Sequence, residues 1–221
     1  MSTGSPLRPT IRSQVERVAA DLVEAARTIP ASTLHEAAGR IGALPHAIQP
    51  VAAGFRLCGP ACTVHGPGGD NLWLHRAIYV AQPGDVLVVS VSGAVEYGYW
   101  GDIMTTAARQ QRLGGLVIDG CVRDGAEIAM AGFPVFARGL AMRGTGKDFG
   151  ATGWINYPLS MGETTVAPGD LVVGDGDGVV VLPLELARAI IDAAHARETK
   201  EADVLRRIAA GERTVDIYNL N

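Results

Sequence analysis

Two clusters near the middle of the chain carry residue types suited to chemistry: Gly101-Asp102-Ile103-Met104 and, after an apolar run, Gly120-Cys121-Val122-Arg123-Asp124-Gly125. The run Leu116-Val117-Ile118 reads as a buried strand. A guanidinium and a carboxylate delivered at its C-terminal end need partners there, because charges are poor core material. A carboxylate can hold a hard divalent cation, and a neighbouring arginine can stabilise an oxyanion that the same cation touches. The pair therefore points to metal-assisted chemistry on a small oxo acid.

Asp124 offers a single oxygen ligand, which suits Mg2+ or Mn2+, ions that accept one or two carboxylates and fill their other positions with water and substrate oxygens. Arg123 can make a bidentate contact with a carboxylate or steady an enolate. Gly98 and Gly101 stand just before an expected helix, whose free N–H groups would attract a small anion, although an ordinary Asp N-cap at Asp102 accounts for the same residues. Asn71 and His75 are four residues apart, so one helix face carries an amide and an imidazole, over a cleft or in solvent. His46, His65 and His195 have no supporting pattern.

Other arrangements lead nowhere. The chain has three cysteines, and their odd, scattered placement argues for reduced thiols rather than a disulfide framework. Cys58 and Cys62 lack the second pair that a zinc site needs, so they read as small buried strand residues. Gly174-Asp175-Gly176-Asp177-Gly178 has neither the length nor the closing Glu of a calcium loop, and a tight hairpin is expected there. Phosphate-cradling loops, a serine nucleophile elbow and a zinc-protease helix are all missing from the sequence.

The elements that must position these residues follow from periodicity and punctuation. Apolar spacing from Ile11 to Ala26 predicts a helix stopped by Pro30, and Ser32 is placed to cap a short helix over residues 33–40 whose His35 and Glu36 could line a cleft. Strands are expected at 56–64, 86–90, 116–118, 135–137, 164–166, 171–174 and 179–182, with helices at 71–81, 102–111 and 125–131 between them. Strand, helix, strand, helix, strand is the pattern of parallel β/α units. Pro83-Gly84-Asp85 and Pro168-Gly169-Asp170 each feed a hydrophobic strand, as a tight turn would. Residues 184–210 form an amphipathic helix, and the arm after Gly211, with Ile217 and Tyr218, would order by docking on a neighbouring subunit. Residues 1–9 read as a disordered polar start.

A chain of 221 residues that is 48% hydrophobic supports one sizeable core. The single domain spans residues 1–221, with an N-terminal helical extension over 1–30 and a C-terminal helix and arm over 184–221. A net charge of −4 gives no general pull toward phosphate backbones or anionic lipids. The longest apolar runs, such as Val86-Leu87-Val88-Val89, fall far short of the roughly 20 residues that span a bilayer. A cytoplasmic protein with no nucleic-acid or membrane partner is expected.

Asp102, twenty intervening residues (103–122) and then Arg123-Asp124 resembles the signature of the 4-hydroxy-4-methyl-2-oxoglutarate aldolase family, which is similar in fold to the regulator of ribonuclease activity A. The resemblance runs from about Thr33 to the C-terminus. It includes the stretch Thr33-Leu34-His35-Glu36-Ala37-Ala38-Gly39-Arg40, Gly69-Asp70-Asn71-Leu72 with His75, Gly115 to Gly120, and Val173 to Val180. It implies an α/β fold: a swivelling β/β/α domain with parallel β/α units and flanking N- and C-terminal helices, assembled as homotrimers or homohexamers with sites between subunits. It implies a class II pyruvate aldolase of aromatic-compound degradation. Such an enzyme cleaves 4-hydroxy-4-methyl-2-oxoglutarate or 4-carboxy-4-hydroxy-2-oxoadipate to pyruvate plus pyruvate or oxaloacetate, with oxaloacetate decarboxylation as a side activity. By the same resemblance Asp124 anchors Mg2+ or Mn2+ and Arg123 binds the C2 oxygen. The backbone around Gly101, Asp102, Ile103 and Met104 holds the substrate carboxylate, and Asp102 positions water. Glu201 from a neighbouring chain completes the site, with Glu198 as the other candidate. A non-catalytic interaction protein like the ribonuclease regulator, and a dedicated oxaloacetate decarboxylase, are the competing readings.

Overall fold

The computed structural model describes residues 10–220; the expected disordered start over residues 1–9 lies outside them. The order of elements is α1 (Ala20–Ala26), α2 (Ala31–Ala37), β1 (Gln49–Pro50), β2 (Leu57–His65), α3 (Leu72–Val80), β3 (Val86–Ser90), α4 (Asp102–Gln110), β4 (Gly115–Ile118), α5 (Gly125–Ala131), β5 (Val135–Ala137), β6 (Trp154–Ile155), β7 (Leu159–Met161), β8 (Thr164–Val166), β9 (Leu171–Asp175), β10 (Gly178–Leu182), α6 (Ala187–Ala209) and α7 (Thr214–Ile217).

The main sheet runs β1-β5-β4-β3-β2-β9-β10, with β6 paired to the end of β2. Strands β2, β3, β4 and β5 are parallel neighbours, whereas β9 and β10 join antiparallel. β2 belongs to both parts: its first half pairs β9 from Leu57 to Pro60 and its second half pairs β3 from Ala61 to His65. The two free edges are brought together by one stretch of chain. Leu44 N donates to Val179 O and Val181 N to Gly42 O along β10, and a few residues later β1 pairs β5. The result is a nearly closed mixed sheet, the α/β architecture expected.

Closure explains why the strands read as unbroken apolar runs rather than alternating ones, since both faces are buried. Val86, Val88, Val117, Phe136, Val172 and Val181 fill the inside. Leu87, Val89, Leu116 and Ile118 face the opposite way and pack under α3, α4 and α5 with Leu74, Met104, Ala108 and Ile128. A third cluster lies under α1, α2 and α6. Both Pro-Gly-Asp turns form as expected, with Gly84 and Gly169 at φ +89° and +88°, the left-handed third position that such a turn reserves for glycine. In each, the aspartate accepts the amide three residues upstream at 2.8 Å, Gln82 N to Asp85 and Ala167 N to Asp170. Gly176 and Asp177 form the tight loop between β9 and β10.

Several boundaries differ from the sequence expectation. The helix expected over 11–26 is confined to α1. Residues 11–18 form an extended strap instead: Arg12 N donates to Ile155 O, Arg17 grips the buried Asp85 through two 2.9 Å bonds, and Val18 N donates to Gly169 O. Backbone bonds to the sheet and a buried ion pair outcompete a helix there. Pro30 begins α2 rather than merely ending α1, and the capping acceptor is not Ser32 but Asp175 Oδ2, 2.9 Å from Ala31 N. Strands β1, β6 and β7 carry little periodic signal, being two or three residues long. The arm after Gly211 contains α7, tied locally by Arg207 to Glu212 and Arg213 to Asp216. Among the described residues no helix is long and apolar enough to cross a membrane.

Candidate active site

The C-terminal ends of parallel strands β3 and β4 open toward the same side of the sheet, and the segments that follow them meet. Arg123 N donates to Trp100 O at 2.8 Å, which ties the loop after β4 to the residues entering α4. The N-cap of α4 is Gly101, in an extended conformation, and Asp102 is its first helical residue. Asp102 therefore does not act as a cap.

The acceptor at this helix start comes from the neighbouring loop. Asp124 stands at the N-cap position of α5 with φ +56°, ψ +43°, and its side chain makes no capping bond to its own helix. Its Oδ2 accepts from Asp102 N at 3.1 Å instead. A left-handed aspartate is uncommon and mildly strained. Here that backbone sends the carboxylate across to α4. Gly101 leaves the room, since a Cβ at that position would fall 2.3 Å from Asp124 Oδ2. Arg123 Nε lies 3.7 Å from the same oxygen, and both side chains remain well exposed to solvent.

These residues border a cavity of about 290 Å³. Of the candidates from sequence, Asn71, His75, Gly101, Ile103, Met104, Arg123 and Asp124 all line it. The first-turn amides of Ile103 and Met104 have no carbonyl one turn back within α4 to bond. Asn71 is 7% exposed, and its Nδ2 donates to Tyr99 O at 2.9 Å. Its Oδ1 is buried with no hydrogen-bond partner among the described residues, an acceptor that a bound hydroxyl or water would satisfy. Burial, and then the charge of Lys147, push the His75 imidazole below its ordinary value, with Asp70 opposing. His75 is therefore neutral near pH 7.

Asp102 is exposed and its carboxylate is not part of the lining. Glu201 lies on α6, 2.7 Å from Arg197, which also approaches Glu36; Glu198 lies 3.3 Å from His195. Neither glutamate reaches the cavity of its own chain. Sequence reasoning passed over Lys147, which lines the cavity from a segment without helix or strand. Its only local signal is the glycine-rich setting Gly144-Thr145-Gly146-Lys147.

The donor set bears on which metal fits. Among the described residues no group of three or more His, Cys, Asp or Glu side chains comes together. A lone accessible carboxylate beside open space suits a hard cation that retains most of its water, as Mg2+ and Mn2+ do.

The sequence profile of the RraA-like family, described as Aldolase/RraA, matches residues 19–181. A protein of Halalkalibacterium halodurans, provisionally named 4-hydroxy-4-methyl-2-oxoglutarate aldolase, is 32% identical over 198 residues, covering 90% of this chain and 93% of that one. An uncharacterized protein from Pseudomonas syringae superposes with a TM-score of 0.82 at 29% identity, over the full length of both chains. Streptomyces coelicolor RraAS2, described as an unusual member of the RNase ES inhibitor RraA family, superposes with a TM-score of 0.76 at 28% identity, over 86% of this chain and 98% of its own.

Proposed function

Because the chain belongs to the RraA-like Aldolase/RraA family, we propose that it is a divalent-metal-dependent pyruvate aldolase. Its substrates are 4-hydroxy-4-methyl-2-oxoglutarate or 4-carboxy-4-hydroxy-2-oxoadipate, cleaved to pyruvate plus pyruvate or oxaloacetate. The observation that carries this reading is the meeting of Arg123, Asp124 and the first turn of α4 at one cavity, with Asp124 Oδ2 3.1 Å from Asp102 N.

The substrate's C1 carboxylate binds at the amides of Ile103 and Met104, where the helix start favours negative charge. Arg123 sits beside the C2 oxygen. When the C3–C4 bond breaks, its electron pair moves into the C2–C3 unit and charge grows on that oxygen, where a fixed guanidinium is most effective. Asp124 would hold Mg2+ or Mn2+, which supplies Lewis acidity at the same oxygen. Asn71 Oδ1 accepts from the C4 hydroxyl as substrate binds. That hydroxyl gives up its proton as C4 becomes a carbonyl, and a proton delivered to C3 releases pyruvate. Asp102, exposed at the mouth, positions the water that carries these protons. Lys147 faces the distal carboxylate. Loss of CO2 from oxaloacetate leaves the same enolate, so decarboxylation accompanies aldol cleavage.

Glu201 enters this scheme from a second copy of the chain. In support, Ile103, Leu140 and Met142 are exposed beside the cavity, an apolar rim that a homotrimer or homohexamer would cover.

The test is a coupled pyruvate-release assay with and without Mg2+ on wild type and Asp124→Ala. Metal-dependent release by wild type alone supports the aldolase. Equal, metal-independent background in both proteins favours an interaction protein of the ribonuclease-regulator kind, and turnover of oxaloacetate alone favours a dedicated decarboxylase.

A further inference from the structure

Asp70 has no part in the chemistry above, yet its carboxylate is committed on both oxygens. It is 5% exposed. Oδ1 accepts from Leu72 N at 2.8 Å, at the start of α3, and Oδ2 accepts from Asp148 N at 2.5 Å. Two backbone bonds flank that contact: Asn71 N to Gly146 O at 3.2 Å and Gly146 N to Gly69 O at 2.8 Å. The segment so held is otherwise exposed and irregular. Burying a carboxylate is costly unless its lone pairs are used. Here one oxygen is spent on the start of α3 and the other on residue 148, while the backbone bonds hold residue 146, so that both neighbours of Lys147 are fixed.

We propose that Asp70 is a positioning residue that latches residues 146–148 to the start of α3, setting Lys147 where it meets the distal carboxylate of the substrate. The inference rests on the substrate class proposed above. Without the latch the lysine remains in the sequence but must be ordered on binding, and affinity falls by that ordering entropy. The consequence is selective: ligands with a second carboxylate lose affinity, and ligands without one do not.

Asp70→Asn tests this, because the amide keeps an oxygen for Leu72 N but turns an NH2 group toward Asp148 N. The probes are pyruvate and 2-oxoglutarate, which share the pyruvoyl head and differ in the distal carboxylate; both are titrated calorimetrically with Mg2+ present. Wild type is expected to bind 2-oxoglutarate more tightly than pyruvate. Asp70→Asn is expected to weaken 2-oxoglutarate roughly tenfold while pyruvate stays within about twofold, the scale of one charge-assisted contact. Lys147→Met weakens 2-oxoglutarate to the same extent, and the double variant adds nothing. Amide exchange across residues 144–150 speeds up in Asp70→Asn.

Unchanged 2-oxoglutarate affinity, an equal loss for both ligands, or additive losses in the double variant would each overturn the latch. Should Asp70→Asn not fold, Asp148→Pro removes the donating amide at the other end of the same bond and is read by the same titrations. If wild type fails to cleave either hydroxy acid but shows the ligand selectivity and its loss, the aldolase reading falls and the latch stands. If cleavage is present and the selectivity survives Asp70→Asn, only the latch falls.

Discussion

Asp124 caps a helix that is not its own: its Oδ2 lies 3.1 Å from Asp102 N at the start of α4, while Asp124 itself precedes α5. That bond, together with the one from Arg123 N to Trp100 O, couples the loops after β3 and β4, and it leaves a carboxylate at the cavity between them.

Gly101 makes that coupling sterically feasible, so Gly101→Ala is expected to displace Asp124, with the new Cβ 2.3 Å from the carboxylate oxygen in the unshifted structure. Mg2+ affinity should fall by about 10- to 100-fold, as when a ligand loses its supporting contacts. Activity measured against Mg2+ concentration reports it; a wild-type metal dependence would refute the steric argument.

Arg123→Lys keeps the positive charge but loses the planar fork. If the guanidinium stabilises charge growing on the C2 oxygen, kcat should drop by about 10²–10³, the usual loss for one such donor. A change confined to KM would assign Arg123 to ground-state binding.

His75 responds to its neighbours in opposite directions. Its pKa lies below the ordinary 6.5 through burial first, then the charge of Lys147, with Asp70 opposing. Lys147→Met should raise it, as read by NMR titration of the ring protons. A histidine depressed on folding takes up protons more readily when unfolded, so its contribution to stability is complete above 6.5 and is lost as pH falls through the folded value. His75→Gln should flatten the fall in Tm as the pH drops below about 6.5; an unchanged slope would place the titration elsewhere.

The strap over residues 11–18 is anchored by Arg17 on Asp85, whose side chain is 1% exposed. Among the described residues Arg17→Met leaves that carboxylate with only Gln82 N, and it is expected to destabilise the fold by about 3 kcal/mol. Urea unfolding of both proteins measures this; a change near zero would make the strap incidental.

Much of the framework was legible in the chain. Strands at 86–90, 135–137 and 164–166 and the helix at 125–131 end where the sequence places them; the first two are apolar runs buried in the closed sheet, which leaves little ambiguity. The strap was not legible, since Ile11, Val15 and Val18 carry a helical spacing that pairing with Ile155 and Gly169 overrides. Lys147 was hidden for a different reason: its segment has no periodicity, and its place depends on Asp70, far away in sequence.

The sequence by itself determined the parallel β/α units and singled out Asp102, Arg123 and Asp124, because periodicity and charge at a strand end are local properties. Tertiary structure alone decided that Asp124 turns to α4, that Asn71 and His75 share its cavity, and that Lys147 joins them. Those facts depend on a left-handed backbone, a missing Cβ and a buried carboxylate between loops, contacts that exist only once distant segments have met.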